Sequence, residues 1–275
     1  MPLDLSVIVT AYDSGEYLGG LLDSLRDLSG SEVPREVIVV DNASRDGSAA
    51  IAGSRAGVRL IRSGRNLGLA RGNNLGAREA SGSSLLFLNP DITVHPGSLE
   101  ALMAFQDSHP GAFILGPALT GPDGAVQSTA RTYPGLLDIL YRRTALGRLP
   151  GAGPRLRRHL NPAGTDRPSR VDWLVGAALW LTPSGRKGAG LMPENYFLYF
   201  EDVEWCWRAN HLGGEVWYVP DSVMGHVHRR DSAGRSRRAL RHHLSSMVRF
   251  YTRHPTALAG SRGDRRGKGA GSRTG

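Results

Sequence analysis

The chain has 275 residues, 40% of them hydrophobic, a single cysteine and a formal charge of +9. That is enough apolar content for a core and too much for a disordered chain, and one cysteine, Cys206, excludes a disulfide framework and a cysteine-based zinc site. The charge invites a nucleic-acid reading, but it is segregated: residues 131–170 carry 9 Arg against 2 acids, and 229–275 carry 13 Lys and Arg against 2, leaving 12 basic and 21 acidic residues elsewhere. An acidic body with two basic attachments is unlike a uniformly basic nucleic-acid binder, so nucleic acid is not an expected partner. The longest apolar run, Leu174 to Leu181, falls well short of the roughly 20 residues of a membrane span. Asp4 follows the N-terminus too closely for a signal peptide. The expectation is a cytoplasmic protein, soluble or peripheral on the inner face of the cell membrane.

Along the first 130 residues, short apolar runs alternate with helical spacing. Leu5 to Val9 reads as a buried strand, and Ser14 is placed to cap a helix whose Leu18, Leu21, Leu22, Leu25 and Leu28 share one face. Glu36 to Val40 reads as a second strand, a helix follows from about Ser48 to Arg55, and Val58 to Ile61 forms a third strand. A helix from about Ala70 to Ala80 precedes a fourth strand, Ser84 to Leu88. Four apolar strands separated by helices predict an α/β fold: a mostly parallel sheet with helices on both faces. In such sheets ligands bind beyond the carboxyl ends of the strands. Polar clusters stand at those ends: Thr10-Ala11-Tyr12-Asp13, Asp41-Asn42, Arg65-Asn66 and Asn89-Pro90-Asp91.

Residues 131–170 are rich in Arg, Pro and Gly with weak periodicity and read as an insertion or loop. Order returns at Val171 to Gly176, and Val216 to Val219 forms a further strand. Arg235 to about Tyr251 predicts an amphipathic helix, with Leu240, Leu244, Met247, Val248 and Tyr251 on one side and Arg237, Arg238, Arg241 and Arg249 on the other. That apolar side packs on the core, and the Arg face is expected also to meet anionic lipid or an acceptor pyrophosphate. The segment from Ala257 onward is Gly/Arg-rich and reads as disordered.

Several residues could do chemistry. Asp91 follows a strand and a Pro-rigidified turn; it is either a helix cap or a carboxylate for a hard cation, which takes few protein ligands when a diphosphate supplies the rest. Asp41 fits a turn-forming role equally well. Glu201 and Asp202 lie among aromatics in Tyr196 to Glu204. Partial desolvation there would raise a carboxyl pKa and suit a general base, while acids in a first helical turn also favour the dipole. His226 and His228 stand close together after the last strand. His-Glu-x-x-His, Gly-x-Ser-x-Gly, P-loop and Gly-x-Gly-x-x-Gly motifs are all missing, which disfavours zinc hydrolysis, serine hydrolysis, NTPase and dinucleotide chemistry.

Taken in order, five segments resemble a family-2 glycosyltransferase of the GT-A fold, in its rhamnosyltransferase-like branch. They are Ser6 to Tyr12, Val39 to Ser48, Asn66 to Asn74, Phe87 to Asp91 and Phe197 to Glu204. The resemblance implies a nucleotide-sugar site in which Thr10, Tyr12 and Asp41 hold base and ribose, Asn66 and Asn74 shape the pocket, and Asn89 belongs to the same nucleotide-binding set. It implies Mg2+ or Mn2+ on the donor diphosphate, held by Asp91 with His226 as second ligand, His228 competing for that place. Asp202 would be the catalytic base, with Glu201 orienting acceptor or base. Trp173 and Gly176 would meet the acceptor, the glycine by letting it approach the backbone.

Three departures stand out: Asn89 replaces the first Asp of Asp-x-Asp, Met192-Pro193-Glu194 replaces Phe-Asp-Glu, and the spacing from His228 to Ser232 is unusual. The implied function is inverting transfer of a sugar, best read as rhamnose from dTDP-rhamnose, onto a glycan or polyprenyl-diphosphate-linked acceptor. Use of a UDP-sugar, nucleotidyl transfer or a nucleic-acid-binding module are the alternatives, and a homodimer is left open. The expected division is a nucleotide-sugar half at 1–130, the insertion at 131–170, an acceptor-side and catalytic half at 171–228, a basic helix at 229–256 and a tail at 257–275.

Overall fold

The computed structural model describes residues 4–28, 33, 35–133, 153, 166–227 and 237–259. The first half alternates as its apolar spacing requires: β1 (Leu5–Ala11), α1 (Gly15–Asp27), β2 (Arg35–Asp41), α2 (Ser48–Gly53), β3 (Val58–Arg62), α3 (Leu69–Arg78) and β4 (Ser84–Leu88). It continues through β5 (Ile92–Val94), α4 (Ser98–Ser108), β6 (Ala112–Thr120) and β7 (Ala130–Arg131). The second half holds β8 (Ser169–Arg170), β9 (Trp173–Leu174), β10 (Ala178–Leu181), α5 (Pro183–Gly188), α6 (Glu201–His211), β11 (Glu215–His226) and α7 (Arg237–Arg253).

Among the described residues the main sheet runs β3-β2-β1-β4-β10-β6-β11-β5, with β8 on β11. The pairs β3-β2-β1-β4 are parallel, β10 enters antiparallel to both β4 and β6, and β6 and β11 are parallel again. Alternation along each strand feeds two cores. Leu5, Val7 and Val9 of β1 join Leu86 and Leu88 on the face covered by α1 and α4. Ile8 joins Leu85 and Phe87 on the opposite face, beneath Trp205 and Cys206 of α6. Packing on both faces is why the centres of these strands, Val7 to Val9 and Leu85 to Leu88, are continuous apolar runs.

Three local expectations change. Ser14 precedes α1, but its side chain does not cap the helix; the Ser14 hydroxyl donates to the Tyr12 carbonyl, and Asp46 Oδ2 accepts from Gly15 N–H at 2.7 Å instead. The last strand does not stop before Pro220. β11 continues to His226 because a register shift between Val219 and Val223 absorbs the residue that cannot donate to the ladder. α7 is rotated from its expected face. Phe250 is fully buried against Phe200 and Trp207, with Ser246 also buried, while Leu244 and Val248 are 42% and 59% exposed beside exposed Arg241 and Arg249. The expected roles of Leu240, Arg237 and Arg238 concern side chains outside the described residues, as do residues 134–152, 154–165 and 260–275.

Candidate active site

After β1, the chain fills β2 and β3 on one side and returns to β4 on the other. That reversal opens a crevice at the carboxyl ends of β1 and β4, the position where α/β sheets bind ligands. Val9 pairs with Leu88, so Thr10 and Asn89 emerge side by side. β10 runs antiparallel to β4 with Ala178 opposite Leu88, and Asn89 N–H donates to the Ala177 carbonyl at 2.8 Å. The segment before β10, with Gly176, therefore meets the same edge. Among the described residues, four that are not glycine have positive φ: Asp13, Ala43, Tyr199 and Phe200. All four stand on this edge or at the entry to α6, and such backbone costs ~1–3 kcal/mol per residue unless the surroundings hold it.

The loops after β1 and β2 are stitched together. Asp13 N–H donates to Ser44 Oγ at 3.1 Å, Arg45 N–H donates to Asp13 Oδ1 at 2.7 Å, and Asp41 Oδ1 accepts from Ser44 N–H at 3.2 Å. Asp41 is thus fixed by the turn expected of it, while Tyr12 stands out at 47% exposed. Thr10 is buried and its hydroxyl donates to Asn73 Oδ1 at 2.6 Å. Asn66 Oδ1 accepts from Gly68 N–H at 2.9 Å and from Asn42 Nδ2 at 3.2 Å. Asn74 spends its amide on the 192–194 segment, through Met192 O, Met192 N and Glu194 Oε1. It acts on the pocket by tying α3 to that segment. Gly68, with φ of 84°, lets the backbone at Phe197 pack against it, and Leu69 N–H donates to Phe197 O at 3.2 Å.

Asp91 and His226 come together because β5 pairs with the end of β11, Ile92 opposite His226. His226 Nε2 lies 3.5 Å from Asp91 Oδ2. Gln127, in the connection between β6 and β7, settles which ring nitrogen faces the acid. Its Nε2–H donates to the His226 carbonyl at 2.9 Å, so its Oε1 faces His226 Nδ1 at 2.6 Å, and Nδ1 must carry the hydrogen. In the neutral ring the lone pair is then on Nε2, toward Asp91, the tautomer a metal-binding histidine needs. The competing His228 lies outside the described residues. Among those residues no cluster of three or more His, Cys, Asp or Glu forms a metal cage. One carboxylate and one imidazole suit a cation that takes its remaining ligands from phosphate and water.

Glu201 and Asp202 open α6, whose N-terminus favours negative charge. Their surroundings push the two apart in role. Glu201 is 5% exposed, and its Oε2 has no hydrogen-bond partner. Burial, and then the neighbouring Asp202, push its carboxyl up to about 8. Burial raises Asp202 as well, but two backbone N–H groups oppose it: Gly176 donates to Oδ2 at 2.9 Å and Val203 to Oδ1 at 2.8 Å. Arg131 pulls in the same direction. Two backbone N–H groups reach Asp202 and none reaches Glu201 Oε2, so charge on this pair is better stabilised on Asp202 than on Glu201.

The two expected acceptor residues are placed differently from that expectation. Trp173 is 9% exposed, its indole N–H donates to Thr132 O at 2.9 Å, and the Arg131 guanidinium covers its ring at 5.4 Å. At Gly176 the group approaching closely is Asp202: a Cβ there would lie 3.2 Å from Asp202 Cβ. Sequence reasoning put Asn42 at the ligand edge but gave it no role; it is buried at 2% with bonds to Leu67 N–H, Asn66 and Gly68 O, and Asn73 and Gln127 were given none either. Asn42 and Asn73 lay inside quoted motifs; Gln127 follows a Gly-Pro-Asp-Gly turn, and no local pattern marks it.

Comparison with known proteins identifies the family and the fold. The family described as Glycosyl transferase family 2 matches residues 6–154. N-acetylglucosaminyl-diphospho-decaprenol L-rhamnosyltransferase of Mycobacterium tuberculosis is 32% identical over 268 residues, covering 91% of this chain and 85% of that protein. Rhamnosyltransferase WbbL of Escherichia coli is 25% identical over 90% of this chain and 92% of its own length. Among solved structures, GalNAc-T7 with UDP, GalNAc and Mn2+ matches with a TM-score of 0.60 at 19% identity, over 95% of this chain and 52% of that one. S. aureus TarS 1-349 in complex with UDP gives 0.56 at 20% identity, over 81% and 60%. These structural likenesses carry the GT-A fold. The chain belongs to glycosyl transferase family 2, as a nucleotide-sugar-dependent glycosyltransferase of the rhamnosyltransferase-like kind.

Proposed function

We propose that this enzyme transfers rhamnose from dTDP-rhamnose, with inversion, onto a hydroxyl of a lipid-linked glycan, and that Asp202 is its base. The observation that carries the mechanism is the asymmetry of the acidic pair: Gly176 and Val203 N–H groups donate to Asp202, while Glu201 Oε2 has no hydrogen-bond partner. The names of the M. tuberculosis and E. coli relatives support rhamnose as the sugar, and the former supports a diphosphate-linked acceptor.

In this reading Thr10, Tyr12, Asp41 and Asn66 border the nucleoside, and Asn74 holds the pocket wall through Met192. Asp202 takes the proton of the acceptor hydroxyl as the oxygen attacks the anomeric carbon. The bond from that carbon to the diphosphate oxygen breaks, and a single displacement inverts the configuration. Asp91 and His226 would hold Mg2+ or Mn2+, with Gln127 fixing the imidazole. The cation, when bound, offsets the charge that develops on the leaving diphosphate. Asn89 in place of a second carboxylate leaves fewer protein charges to be neutralised there.

A UDP-sugar donor is the second reading, favoured by the two fold neighbours solved with UDP. No helix among the described residues is long and apolar enough to cross a membrane. The exposed Leu244 and Val248 beside Arg241 on α7 support contact with an anionic membrane surface. The deciding test is a thermal-shift panel of dTDP-, UDP- and GDP-sugars with Mg2+ or Mn2+. Stabilisation by dTDP-rhamnose above the others is expected; stabilisation by a UDP-sugar alone replaces the donor assignment.

A further inference from the structure

A cavity of about 300 Å3 lies between the first turn of α3, residues 194–197 and α7, and no role above uses it. Arg71 lines it from α3; His242, Ser245 and Arg249 line it from α7; Glu194 and Phe197 line it from the segment that leads to the acidic pair. The His242 ring stacks on Phe197 with centroids 5.0 Å apart. Glu194, the acid in this wall, is already committed. Asn74 Nδ2 donates to it at 3.0 Å and Arg78 pairs with the same oxygen. Those contacts, the Asn74 bond first, hold its carboxyl below the usual carboxylate range. Arg71 stands 3.8 Å from its other oxygen. Arg249 donates one N–H to the Asn195 carbonyl, which pins the guanidinium at the rim. Arg71, Arg78 and Arg249 thus leave a positive excess after Glu194 is neutralised, with a guanidinium on each of two facing walls.

We propose that this cavity is a diphosphate-binding subsite for the acceptor; the inference rests on the lipid-linked reading of the acceptor above. Two guanidinium groups on opposite walls match a ligand with two phosphoryl groups, since each presents paired N–H donors to phosphate oxygens. The volume is at the low end for a ligand site and suits a diphosphate with the first sugar better than a nucleotide sugar. Its position matches the chemistry. The 194–197 wall runs directly into Glu201 and Asp202, Gly68 packs against it from the donor side, and Ser246 of α7 donates to Leu198 O at 3.0 Å. A diphosphate seated there would anchor the acceptor within a few residues of the base.

The test uses the full chain and farnesyl diphosphate as a soluble probe, with binding followed by calorimetry. Arg71→Gln/Arg249→Gln, both exposed positions, should weaken binding by ~10-fold or more, the effect of losing hydrogen bonds to a charged group, at an unchanged melting temperature. Inorganic pyrophosphate should compete with the probe, farnesol should not bind, and Asp91→Asn should leave probe binding intact. Unchanged affinity in the double variant, loss of binding in Asp91→Asn, or failure of pyrophosphate to compete would overturn the subsite. A kinetic arm compares one glycan carried on a polyprenyl diphosphate with the same glycan on an uncharged alkyl group. The double variant should lose kcat/KM on the first only, with donor KM unchanged, and equal losses on both contradict the proposal. If wild-type protein glycosylates neither acceptor, the transfer reading fails, and probe binding still decides the subsite.

Discussion

Replacing Glu201 by Gln tests the electrostatics on which the base assignment depends. A carboxyl that titrates at 4.5 when solvated and at about 8 when folded binds its proton more tightly in the native state. Below pH 4.5 both states are protonated and the native state bears no penalty. As pH rises through the window from 4.5 to 8, the unfolded chain loses the proton first, and native stability falls by ~1.4 kcal/mol per pH unit. By pH 7 the accumulated penalty is roughly 3 kcal/mol. Glutamine stays neutral, so Glu201→Gln should remove the Glu201 share of that slope and leave a shallower fall, since Asp202 is raised by burial as well. Its new N–H2 must find a partner where Oε2 now has none, which offsets part of the gain by ~1–3 kcal/mol at every pH. The slope, and not the absolute stability, is therefore the reading. Urea unfolding of both proteins at pH 5, 6, 7 and 8 measures it. Wild-type and variant stabilities that fall in parallel across this range would refute the account of a protonated, buried Glu201.

Other consequences are open to simple assays. Gln127→Leu removes the acceptor that holds the hydrogen on His226 Nδ1, and Mn2+ affinity measured by calorimetry with dTDP present should drop ~10–100-fold; unchanged affinity would remove Gln127 from that role. Gly176→Ala keeps the N–H but sets a methyl 3.2 Å from Asp202 Cβ. Displacing the carboxylate should lower kcat by ~10-fold or more while dTDP binding stays normal, and an unaltered kcat would show that the close packing is not needed. Leu244→Glu/Val248→Glu places charges on the exposed face of α7, so flotation with anionic liposomes should be lost; equal flotation would exclude that face as the membrane contact.

The fold and most of the site could be read from local signals, and the exceptions have physical causes. The centres of β1, β2 and β4 are apolar on both sides because both faces are covered, and the polar residues at the strand ends marked the candidate ligand edge. β6 went unseen: Gly116 and Pro117 interrupt its pattern, and the strand is held by pairing to β10 and β11. β11 looked finished at Pro220 because the bulge that carries the chain past it depends on the neighbouring strand. That extension is what delivers His226 to Asp91. Gln127 was invisible for the same reason, since its role exists only through a contact 99 residues away in sequence. On α7, helical spacing grouped Leu244 and Val248 with Met247, but the contacts of Phe250 with the rings of Phe200 and Trp207 decide the buried face. Glu201 and Asp202 were legible as a pair. Their unequal roles were not, because those depend on which oxygens the backbone N–H groups reach.

The most direct measurement compares wild type with Asp202→Asn, incubated with dTDP-rhamnose, Mg2+ and an N-acetylglucosaminyl polyprenyl diphosphate, with the product followed by mass spectrometry and nucleotide binding by calorimetry. The account predicts addition of one deoxyhexosyl residue by wild type, and none by Asp202→Asn although dTDP binds both proteins alike. Product formed by Asp202→Asn at an undiminished rate would contradict it.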